Sequence, residues 1–75
     1  MPRNASEASV AAAQLGDLGA YKESALYFQK ALLFDPDNLE ISMKLGLVYY
    51  FSGDKDAARR LIANVMSEQD LKRSP

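Results

Sequence analysis

The residues with reactive chemistry to offer are carboxylates in close pairs, Asp35 with Asp37 and Asp54 with Asp56. Paired carboxylates can divide general acid and general base work between them. All four, however, fall at turns or helix starts, where a carboxylate accepts orphan backbone N–H groups and meets the positive end of the helix. Capping accounts for them without a catalytic role. The chain has no histidine and no cysteine. It therefore lacks the commonest general base, the commonest metal ligand, and any disulfide or thiolate site. No glycine-rich phosphate loop, Ser/His/Asp set or metal-ligand spacing is present. The expectation is a protein that is not an enzyme and that uses no cofactor and no metal.

Charge narrows the partners further. Nine basic residues stand against ten acidic ones, which lacks the basic excess a nucleic-acid surface draws on. Lys55 with Arg59 and Arg60 forms a small basic group, but Asp54 and Asp56 adjoin it, so a solvated helix surface is expected there. Lys72 and Arg73 read as tail solvation. The opening MPRNASEAS has no apolar signal-peptide core, and no run approaches the roughly 20 apolar residues that span a bilayer. A soluble, cytoplasmic chain without a membrane span is expected.

The elements follow from period and punctuation. Residues 1–4 read as a frayed start. Asn4 with Glu7 fits a capping box opening a helix over Ala5 to Asp17, rich in alanine. Gly16 and Gly19 permit a tight turn. Tyr21, Ala25, Phe28, Ala31 and Leu32 then recur at helical spacing and predict a helix over Tyr21 to Phe34. Asp35-Pro36 closes it, because the residue before proline is pushed from the helical region. Asp37 with Glu40 suggests a second capping box for a helix over Leu39 to Ser52. Its expected core face is Ile41, Leu45, Val48 and Tyr49. Gly53 and Asp54 punctuate the start of a fourth helix, Lys55 to Glu68, with Ala58, Leu61, Ile62, Val65 and Met66 on one stripe. The rest reads as tail.

This pattern, helix-turn-helix twice, resembles the tetratricopeptide repeat, a family of antiparallel helix pairs with a 34-residue period. Shifting the chain by one period lays Gly19 on Gly53, Ala12 on Gly46, Leu15 on Tyr49, Ser24 on Ala58 and Phe28 on Ile62. Ala31 falls on Val65 and Leu32 on Met66. Gly19, Tyr21, Phe28, Ala31 and Pro36 also match family positions, as do Leu45, Gly46 and Tyr49. Departures exist: Ala8 and Ser42 replace the aromatic usual near the start of the first helix, and Asp70 stands at a proline position. The resemblance implies an all-α fold of two tandem hairpins, an α-solenoid fragment, with repeats at 5–38 and 39–72 and a tail at 73–75. A near-parallel four-helix bundle is the alternative reading of the same spacing.

The resemblance also implies a protein-interaction module, with a groove lined by the first helix of each repeat. That groove would take Ser9, Val10, Ala13, Gly16 and Asp17 from the first repeat. Met43, Lys44, Leu47, Tyr50 and Phe51 would come from the second. Such a strip suits an amphipathic helix or extended peptide, unless Leu47, Tyr50 and Phe51 are core. Some family members hold a partner's terminal carboxylate with lysines and asparagines. Here Ser9, Ala13 and Lys44 occupy those positions and offer a single cation, too few for such a clamp. Solenoids gain stability by stacking, normally over about three repeats. With two, the stripe Ile62, Val65 and Met66 is expected to lack cover within the chain. A second copy, a partner or further sequence would then close it. Self-assembly as a homodimer or higher homo-oligomer is therefore the second expectation.

Overall fold

The computed structural model describes residues 3–73, with side chains from Arg3 to Glu68. The frayed start expected at Met1 and Pro2, the tail at Ser74 and Pro75, and the side chains of Lys72 and Arg73 lie outside the described residues. Four helices form: α1 Ala5–Asp17, α2 Tyr21–Phe34, α3 Leu39–Ser52 and α4 Lys55–Arg73. The described residues contain no strand. Each helix packs on the next in the chain, α1 on α2, α2 on α3 and α3 on α4, and α1 and α4 share no comparable interface. A closed four-helix bundle would join its first and last helices. Two hairpins stacked in an open array fit instead, with extents of 40 × 28 × 15 Å.

The hairpin corners have one construction, repeated. After α1, Gly19 takes a φ of 82°, its N–H donating to Gly16 O at 3.0 Å while Ala20 N–H donates to Leu15 O at 2.9 Å. After α3, Gly53 has a φ of 97°, with Gly53 N–H to Tyr50 O at 3.1 Å and Asp54 N–H to Tyr49 O at 3.0 Å. Both are Schellman closures, which satisfy the last helical carbonyls and need a residue at ease with positive φ.

Within the hairpins small residues let backbones approach. Ala8, Ala12 and Ala31 are fully buried. The Ser24 hydroxyl donates to Ala12 O at 2.6 Å in the α1–α2 contact. At the equivalent crossing in the second hairpin, a Cβ on Gly46 would lie 2.8 Å from Ile62 Cγ1. The main core then gathers Ala8, Ala12, Ala25, Phe28 and Ala31 of the first hairpin with Ile41, Leu45 and Val48 of α3. The second hairpin thus begins by covering the first.

Three local expectations are corrected. The cap of α3 is Asn38, whose Oδ1 accepts from Ile41 N–H at 3.1 Å, and not Asp37. Asn38 also donates to Asp35 Oδ2 at 3.0 Å, which holds the turn. At α1, Asn4 Oδ1 accepts from Glu7 N–H at 2.9 Å as expected, but Glu7 reaches back to Arg3 N–H rather than to that of Asn4. Finally, α4 continues past Glu68 to Arg73. No glycine or proline interrupts Gln69 to Arg73, and Asp70 leaves the helix intact at the family's proline position.

Candidate binding cleft

A concavity of about 350 Å³ opens where the two hairpins meet. Its floor comes from α2, through Tyr21, Ser24 and Phe28. One wall is the last turn of α1, with Ala13, Gly16 and Asp17; the other is α3, with Lys44, Leu47, Val48 and Phe51. The floor is fixed by packing, since Phe28 is 3% exposed and Ser24 is held by its bond to Ala12. The α3 wall faces outward, Leu47 being 46% and Phe51 60% exposed.

Gly16 keeps the α1 wall low. A Cβ there would sit 3.3 Å from Ser24 Oγ, tight against the floor. Phe51 closes one end of the cleft by stacking on Tyr21, with ring centroids 5.6 Å apart and planes inclined by 27°. Charge is confined to the rim. Asp17 stands on the α1 side and Lys44 on the α3 side, the Lys44 ammonium 3.3 Å from Glu40. The result is an apolar trough with an aromatic end and one charge of each sign. Its lining suits apolar side chains of a peptide. Among the described residues no group of three or more acidic, histidine or cysteine side chains could hold a metal.

The expected groove residues divide. Ala13, Gly16, Asp17, Lys44, Leu47 and Phe51 come together in the cleft. Val10 is exposed elsewhere on α1, and Met43 is half-buried away from the cleft. Ser9 is half-buried, with its hydroxyl in no hydrogen bond to the protein. Tyr50 turns to a different concavity, of about 390 Å³, at the open end of the array. There it meets Lys55, Ala58, Arg59, Ile62, Ala63 and Met66. Tyr21, Ser24, Phe28 and Val48 are cleft residues that sequence reasoning assigned to the core or to helix packing. Their apolar period signals burial and does not tell that one edge of a buried side chain also floors a trough.

The uncovered stripe on α4 is also corrected. Val65 is 2% exposed, so the chain itself covers it. Ile62 is half-buried and Met66 is 57% exposed. On a helix Val65 and Met66 point about 100° apart, and only the second faces outward. Asp54, among the paired carboxylates, caps α4 by accepting from Ala57 N–H at 3.2 Å.

A family profile for the tetratricopeptide repeat matches residues 17–72. The chain belongs to that family, and its open stack of two hairpins is the family's architecture in miniature. Tetratricopeptide repeats are in general protein-interaction modules, so protein partners are the general expectation. No curated protein and no solved structure matches the chain. No helix among the described residues is long and apolar enough to cross a membrane.

Proposed function

We propose that the chain is a non-catalytic adaptor whose cleft binds a short peptide or helix of a protein partner, its two repeats running over 5–38 and 39–72. The observation that carries this reading is the exposure of Leu47 and Phe51 beside a packed floor of Phe28 and Ser24. Large apolar side chains held open to solvent on a fixed scaffold are what a partner's side chains can desolvate. The rim charges Asp17 and Lys44 favour a ligand with opposite charges at its two edges. Panning a random peptide library on the immobilised chain tests this. Enriched sequences should carry apolar or aromatic anchors, and Leu47→Ala should weaken them by about tenfold, near 1.4 kcal/mol. Enriched peptides that bind the Leu47→Ala variant unchanged would place the site elsewhere.

Self-association is a second reading, favoured by the open end of the array. Tyr50 and Met66 are both exposed there, around an apolar concavity. A second copy could cover it.

A further inference from the structure

The open end is a copy, one repeat period on, of the surface that α3 covers within the chain. Gly16, Tyr21, Ser24 and Phe28 of the cleft between the hairpins become Tyr50, Lys55, Ala58 and Ile62 at the open end. What α3 does to the first hairpin therefore indicates what would fit the second. Two side-chain pairs fasten α3 there beyond the core: Phe51 stacks on Tyr21, and Tyr49 accepts a hydrogen bond from the Gln29 amide.

Shifting both partners by the 34-residue period gives the pairs that a second copy's α1 would make at the open end. Phe51 with Tyr21 becomes Asp17 with Lys55. Tyr49 with Gln29 becomes Leu15 with Ala63. In each pair both members change type together. An aromatic stack is replaced by opposite charges, and a polar pair by an apolar one. Asp17 and Lys55 are exposed and free to meet such a partner. The Lys55 ammonium already lies 5.9 Å from the Tyr50 ring, at the mouth of the open concavity, with Arg59 as a second cation in its lining.

We infer that two copies of this chain stack head to tail, α1 of one on the α3–α4 end of the other, with Asp17 paired to Lys55 across the contact. This rests on the self-association reading and gives it a geometry. The contact would also complete a second cleft, with Ala13 and Asp17 of the incoming copy in the places of Leu47 and Phe51. It is weaker than the contact inside the chain, because Glu7, Ala11 and Gln14 stand where Ile41, Leu45 and Val48 stand in α3. A heterologous contact of this kind leaves free ends and builds chains of increasing length.

The test is sedimentation of the full chain over a wide concentration range, with charge reversals at the two ends. Lys55→Glu lies at the start of α4 and Asp17→Lys at the end of α1. Both changes suit the helix dipole, so loss of fold does not confuse the result. The wild type should gain mass with concentration. It should lose that gain in high salt, where the screening length falls to about 3 Å at 1 M. Each single variant should stay monomeric. An equimolar mixture of the two, and the double variant, should regain the mass. Association that Asp17→Lys leaves unchanged, or single losses that neither the mixture nor the double variant restores, would overturn the head-to-tail pairing while leaving self-association standing. A wild-type monomer at every concentration would overturn both.

Discussion

Phe51 lies against Tyr21 with ring centroids 5.6 Å apart, joining the last turn of α3 to the first turn of α2. Tyr50 meets the Phe51 ring edge-on, with centroids 5.9 Å apart. Phe51 therefore has two tasks. It ties the second hairpin to the first, and it walls the end of the cleft. Its truncation to alanine should cost stability as well as binding. Leu47 has no ring partner and should separate the two effects. Leu47→Ala should lower affinity for a cleft peptide by about tenfold with helicity and melting temperature close to wild type, as calorimetric titration and circular dichroism would show.

Helices α3 and α4 approach closely at Gly46. A methyl group there meets Ile62 Cγ1 at 2.8 Å, with Ala58 O at 3.8 Å behind it. Gly46→Ala should destabilise the fold by roughly 1–3 kcal/mol, the usual cost of overpacking. In a domain this small, each kcal/mol shifts the thermal midpoint by about 4–8 °C. An unchanged midpoint would mean that Ile62 yields freely.

Ser24 and Ala58 are the same position in the two repeats, yet only Ser24 carries a buried hydroxyl, bonded to Ala12 O at 2.6 Å. Ser24→Ala should cost about 1 kcal/mol, the net worth of one such bond. Gly46 takes the place of Ala12 in the second hairpin, where the crossing has no such bond to lose. Chemical denaturation of the single variant checks this.

Val65 and Met66 separate burial from exposure on neighbouring residues. Val65→Glu buries a charge without a partner and should unfold the second hairpin. Met66→Glu changes a side chain that is 57% exposed and should leave the fold intact. Circular dichroism of both variants distinguishes this from the expectation that the whole Ile62, Val65, Met66 stripe is open.

Much of the architecture is legible in the residues because its signals are local. Gly19 and Gly53 mark the hairpin corners through the positive φ that their positions demand. Small residues at Ala12 and Gly46 mark the helix crossings. Asp37 and Asn38 are both good caps for α3, and only the turn geometry chooses Asn38. The site was harder to read. Helix α3 is apolar nearly all round, with Met43, Leu47, Tyr50 and Phe51 added to its core face, so periodicity cannot tell cleft from open end. The fold separates them by rotation: Leu47 and Phe51 look back over the first hairpin, while Tyr50 looks over α4. Phe28 and Tyr21 are not legible as cleft residues, because burial and trough-forming share one apolar signal.

The most direct test of the cleft is an amide shift map of the isotopically labelled chain, titrated with a library-selected peptide. Perturbations should cluster at Ala13, Asp17, Tyr21, Lys44, Leu47 and Phe51 and be greatly reduced in Leu47→Ala. Perturbations centred on the outer face of α2, at the exposed Leu26 and Leu33, or on α4 around Met66, would contradict a binding site in the cleft.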